Sequence, residues 1–195
     1  MTDTDTATTP QYRNGIKVKE DSGSSLPRVY CNDLVKDGSE GQNNDGQHIA
    51  CNYISFNDVK AFADWSGLRP FTELEYEKAC RGALKPVANE CAWGTADAIH
   101  AKGIANPGKE DEYATNPRAN IAINDESGVQ GPMRCGSFAY LATSRKQAGA
   151  TYYGVMEMSG NLSEYTYSVG LNNNRNFNGN IHGDGVIQAN GDTDT

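Results

Sequence analysis

Apolar positions are sparse along this chain and fall in three places. Residues 1–48 are polar and rich in Gly, Asn, Asp and Ser, with two strand-like pieces at Gly15–Lys19 and Arg28–Cys31 and a loop from Asp37 to Gln47. The pattern condenses at Ile49. Ser55 and Asp58 are spaced as a capping box, and Val59, Phe62, Ala63 and Trp65 follow at helical intervals up to Gly67. Thr72 and Glu75 form a second capping box. Tyr76, Ala79 and Cys80 then mark an inner helical face, which Gly82 terminates. Two short capped helices joined by Leu68-Arg-Pro-Phe71 are therefore predicted. Beyond Gly82 the chain reads as loop to about Pro132, with a strand expected at Met133–Phe138. Apolar and turn residues mix from Tyr152 to Tyr167. From Ser168 almost everything is Gly, Asn or Asp.

Composition narrows the function classes. The 195 residues suggest one domain able to bury a core, yet only 37% are hydrophobic and 21 are glycine, so a loop-rich fold is expected. The net charge of -8, with no Lys/Arg stripe, argues against a nucleic-acid partner. No apolar run approaches a membrane span. The first ten residues lack the basic and apolar regions of a signal peptide and read as a flexible polar lead. Localisation is thus left open, with an extracellular or phage-surface setting expected if the chain is part of a longer protein. The five cysteines are widely spaced with no CxxC, which disfavours zinc. Cys51 and Cys80 lie in apolar contexts that suit buried, inert thiols. His48, His100 and His182 are isolated and read as loop or surface residues.

The most informative segment is Val155-Met-Glu-Met-Ser-Gly-Asn-Leu-Ser-Glu164. A tight Ser-Gly-Asn turn exposes backbone carbonyls, and Glu164 follows three residues after Asn161. Oxygen donors of this kind suit a hard cation such as calcium. The bland reading is a turn that only caps itself.

In order, Ala50–Asp58, Ala61–Trp65, Leu68–Gly82, Ala92-Trp-Gly94, Ala119-Asn120, Gly136-Ser-Phe138 and Tyr153–Glu164 form a series. This series resembles the formylglycine-generating enzyme, or sulfatase-modifying factor, family over residues 49 to 167. Its helix motif is matched by Leu68-Arg-Pro-Phe-Thr-Glu-Leu-Glu-Tyr-Glu-Lys-Ala-Cys-Arg-Gly82 and its "MSGNVWEW" motif by Met158–Tyr165. The resemblance implies an α+β, C-type-lectin-like fold with two short helices, a small twisted antiparallel sheet and long loops. It also divides the chain into a lead (1–19), an incomplete domain (20–170) and an Asn/Gly-rich loop or truncated end (171–195). Family members include copper-dependent cysteine oxidases, iron oxygenases and non-catalytic binding domains.

The resemblance also implies sites. A calcium site maps onto Glu157, the Gly160 and Leu162 carbonyls and the Glu164 carboxylate. A second maps onto Asn120, the Ile121 carbonyl and an acidic loop residue, Asp125 being nearest. Copper is not supported, because the family's catalytic cysteine pair lies near a C-terminal region that this sequence does not contain, and none of the five cysteines matches it. Ser163 stands where the family usually has Trp, which removes roughly 2 kcal/mol of apolar burial if that position is buried. The family's opening and closing segments are not evident, so a fragment completed by a further chain segment is expected.

The tract from 170 to 185 has two readings, a solvated loop or a displayed binding loop. In the second, Asn172, Asn174, Asn176 and Asp184 would present polar groups to a surface glycan or protein. Tyr152, Tyr153, Tyr165 and Tyr167 are candidate stacking surfaces, the first two being better suited to the core. The leading expectation is a non-catalytic or catalytically incomplete, calcium-stabilised recognition or scaffold domain of a bacterial or phage surface protein. The alternative is a formylglycine-generating oxidase whose reactive cysteines lie outside this chain.

Overall fold

The computed structural model describes residues 11–19, 29–123, 128–142, 144–170, 182–189 and 193. Near the start, strands β1 (Ile16–Val18) and β2 (Tyr30–Asn32) pair antiparallel, with Ile16 opposite Asn32. They fall where the sequence placed strand-like pieces.

Both capping boxes form as read. Helix α1 (Phe56–Trp65) begins with the Ser55 hydroxyl accepting the Asp58 N–H at 3.2 Å, while the Asp58 carboxylate accepts the Ser55 N–H at 2.8 Å. Helix α2 (Glu73–Arg81) repeats the device with Thr72 and Glu75. Arg69 grips the same Glu75 carboxylate through two bonds of 2.6 and 2.9 Å. This guanidinium, with the Thr72 N–H, holds Glu75 down to about 2. Gly82 ends α2 at φ 66, and a Cβ there would lie 2.3 Å from the Tyr152 ring. Only glycine meets both demands.

Which face of each helix is buried departs from expectation. Phe62 and Trp65 are 63% and 61% exposed, and α1 instead buries Ala63 and Asp64. Periodicity marks a face but does not fix its direction. On α2, Cys80 is buried as expected, whereas Cys51 is exposed. Tyr152 and Tyr153 are also largely exposed rather than core residues. They meet edge to face at 5.0 Å, with Tyr152 covering Gly82.

The core lies among the loops rather than under the helices. Ala101, Ala119, Ala122, Val129, Met133 and Phe138 cluster there, flanked by Ile104 and Ala114 of the two-residue pair β3 (Ile104–Ala105) and β4 (Tyr113–Ala114). The expected strand at Met133–Phe138 is not one. Arg134 makes a single antiparallel bridge to Ile49, Gly136 turns left-handed at φ 81, and Ser137–Ala139 closes a 3-10 turn. The helices join this core through segment 165–170. Tyr165 and Tyr167 pack on Phe56, Tyr167 bridges Thr72, and the Glu73 carboxylate accepts the Val169 and Gly170 N–H groups at 2.9 Å.

Candidate functional site

The Ser159-Gly160-Asn161 turn lies at the junction of helices and core, and each of its residues has a framework task. The Ser159 hydroxyl accepts the Ala92 N–H at 2.9 Å. Gly160 adopts φ +82, where a Cβ would lie 2.4 Å from Ile121 Cγ1 and 2.5 Å from the Ala122 carbonyl oxygen. The side chain of Asn161 acts as a strand partner for Met133, accepting its N–H at 2.7 Å and donating to its carbonyl at 3.2 Å. Asn161 N–H also donates to Ala122 at 2.7 Å. Its amide is thus held on both sides, which explains the Asn161-Leu-Ser163 sequon as coincidence rather than as a glycan acceptor. Ser163 itself is exposed.

Around this turn lie two carboxyl groups. Glu157, at φ 63, accepts the Gly136 N–H through Oε1 at 2.8 Å. Burial pushes its carboxyl up to about 7, opposed by that bond and by Arg134 and reinforced by the negative charge of Glu164. Glu164 is an exposed residue, yet partial desolvation of its carboxyl raises its pKa as well. The Tyr76 hydroxyl donates to the Met158 carbonyl, and burial together with nearby Glu164 raises its pKa. Among the described residues the Gly160 and Leu162 carbonyls accept no hydrogen bond. The negative charge of Glu164 thus disfavours ionisation of Glu157, and the two carbonyls nearby in sequence are left without donors among the described residues. No group of three His, Cys, Asp or Glu side chains stands poised for a metal among the described residues.

The second mapped set looks different. Asn120 is buried; its Oδ1 accepts the Ile99 N–H at 2.8 Å and its amide donates to the Asp97 and Lys146 carbonyls. The Ile121 carbonyl accepts the Ala101 N–H at 2.8 Å. Each of these oxygens already accepts one framework N–H group. Asp125 lies outside the described residues, as do Asn172, Asn174 and Asn176. Asp184 is exposed and folds against α1, donating its N–H to Asp64 at 3.2 Å and accepting from Val186 N–H at 2.8 Å.

Two features escaped the sequence. Buried Glu112 joins distant segments: it accepts from Arg13, from the Gly108 N–H at 2.7 Å and from the Arg134 N–H at 2.9 Å. No local pattern signals this, because its partners lie up to 99 residues away. Cys80 and Cys91 border one pocket of about 80 Å³ with Tyr76, Arg145 and Ser159. All five cysteines are free, and desolvation raises each thiol above its ordinary value.

Residues 8–191 match the family described as the sulfatase-modifying factor enzyme 1-like domain. The chain belongs to this family. The match to the sulfatase-modifying factor domain reaches beyond 49–167, into stretches without a legible motif. A hercynine oxygenase from Mycolicibacterium smegmatis is 30% identical over 119 residues, covering 60% of this chain. The chain spans 21% of that relative's length. No solved structure matches the chain significantly. No helix among the described residues is long and apolar enough to cross a membrane.

Proposed function

We propose that this sulfatase-modifying factor domain is a calcium-stabilised recognition or scaffold module, without redox chemistry of its own, carried by a bacterial or phage surface protein. The observation that carries the reading is the contrast within residues 157–164: the turn is fixed by Gly160 and Asn161, while Glu157, Glu164 and two carbonyls stand without protein partners enough to neutralise them. Calcium would be held by the Glu157 and Glu164 carboxylates and the Gly160 and Leu162 carbonyls. It would supply charge neutralisation that locks the turn between helices and core. Protonated, desolvated thiols suit a binding role better than soft-metal redox work, which requires thiolates. The ligand of such a module would be a surface glycan or protein.

A second reading is favoured by the hercynine oxygenase likeness and by the pocket that Cys80 and Cys91 share: an oxidoreductase domain whose remaining catalytic groups lie outside this chain. Copper-supplemented assay of a Cys-x-Pro-x-Arg peptide separates the two. No product is expected, and any turnover above the copper blank overturns the leading reading.

A further inference from the structure

A cavity of about 320 Å³ opens between the stretch Tyr113–Ala119, which begins at β4, and the stretch Ser137–Ala142. That volume lies within the range of small-molecule sites. Tyr113 and Tyr140, one from each wall, stack at 4.4 Å with their planes 9° apart. Buried Phe138 contributes to the lining, and Leu141 stands 83% exposed at it. The cation lining the cavity is Arg118. Five of the six arginines among the described residues donate to protein acceptors: Arg13 to Glu112, Arg69 to Glu75, Arg81 to Glu77 and Glu90, and Arg134 and Arg145 to carbonyls. Arg118 is exposed and has no such partner among the described residues. Its backbone is left-handed at φ 64, a strained state for a long side chain and one that recurs at ligand-binding positions.

Of the other polar side chains in the wall, Asn116 and Ser137 are engaged within the protein, Ser137 through its hydroxyl to the Arg134 carbonyl. The Asn116 amide accepts the Lys102 N–H at 2.8 Å and donates to the His100 carbonyl at 2.9 Å. Arg118 is the one charged side chain in a lining that also includes Phe138, Tyr140 and Leu141. One guanidinium matches a carboxylate bidentately, whereas a phosphate dianion would call for further cations or converging N–H groups. We propose that this cavity binds a small carboxylate with an apolar, ring-sized body, the carboxylate on Arg118 and the body against Phe138, Tyr140 and Leu141. The inference gives the recognition reading a ligand class and rests on its claim that the chain binds rather than transforms. It does not require the cation site.

The test is titration of the protein with 3-phenylpropionate, followed by amide and aromatic NMR shifts, in EDTA and in calcium. Saturable binding is expected, with shifts at Arg118, Tyr113 and Tyr140. Neutral 3-phenylpropionamide and body-less acetate should each bind roughly ten-fold more weakly. Arg118→Asn, which tolerates the left-handed backbone, should weaken 3-phenylpropionate by about the same factor without lowering the melting temperature. Should that variant misfold, Leu141→Ser at its exposed position provides a second reading and should weaken binding several-fold. Absence of saturation, or equal affinity for the amide or for both variants, overturns the proposal. Acid binding that survives Glu164→Ala in EDTA distinguishes this site from the fate of the calcium reading.

Discussion

Glu112 and Glu157 are both carboxyl groups inside the fold, and they are treated in opposite ways. Glu112 has no exposed surface and is ringed by donors: a guanidinium and two backbone N–H groups. Glu157 has one N–H bond, the charge of Arg134 opposed by that of Glu164, and a pKa that burial pushes up to about 7. A buried charge is retained stably only where hydrogen bonds and counter-charge replace water. Around Glu112 the protein supplies them itself. Around Glu157 it stops short, and that is the gap the proposed cation would fill. The same distinction separates Asn120, whose oxygen is fully engaged within the framework, from the Gly160 and Leu162 carbonyls, which accept nothing among the described residues.

The largest expected effect breaks the self-sufficient side. Glu112→Gln leaves the largely covered Arg13 without its counter-charge and should lower unfolding stability by about 3 kcal/mol in urea, with no recovery on adding calcium. Gly160→Ala comes next. Its added methyl meets Ile121 and Ala122 and its φ is unfavourable, so a loss of about 3 kcal/mol is expected together with loss of any calcium response.

Glu157→Gln sharpens the comparison through pH. The folded pKa of Glu157 lies above its ordinary value of 4.5, so the native state keeps a proton that the unfolded chain has released. Its contribution is therefore most favourable below about 4.5 and declines as pH rises through about 7, by at most roughly 3 kcal/mol. In calcium-free buffer the stability difference, variant minus wild type, should grow across that window; a flat difference would refute the burial of an uncompensated carboxyl. The smallest effect lies away from both sites. Thr72→Ala removes one half of the α2 capping box and should cost about 1 kcal/mol at every calcium concentration, as a urea melt would report.

The helices were legible because their signals are local. Ser55 with Asp58, and Thr72 with Glu75, lie within one turn, and the chemistry that caps a helix needs no distant partner. The orientation of α1 was not legible, since burying Ala63 and Asp64 instead of Phe62 and Trp65 depends on where Gly183 and its neighbours pack: a Cβ on Gly183 would lie 2.2 Å from the Asp64 backbone. The Met133–Phe138 stretch had strand composition, but Gly136 and the side-chain clamp from Asn161 turn it into a bridge followed by a 3-10 turn. Of the candidate site, the 157–164 segment was readable from its turn and its resemblance. The role of Asn161 as a surrogate strand partner, the Glu112 junction and the cavity that Arg118 lines arise from contacts between remote segments, which no spacing rule records.

Thermal unfolding of the wild-type chain and of Glu164→Ala, each at pH 7.5 with calcium or with EDTA, addresses the contrast between the two carboxyl centres most directly. Calcium should raise the wild-type melting temperature by about 3 °C or more and leave the variant nearly unchanged. Superimposable wild-type curves with and without calcium, or an equal rise in both proteins, would contradict the assignment of Glu157 and Glu164 to a cation.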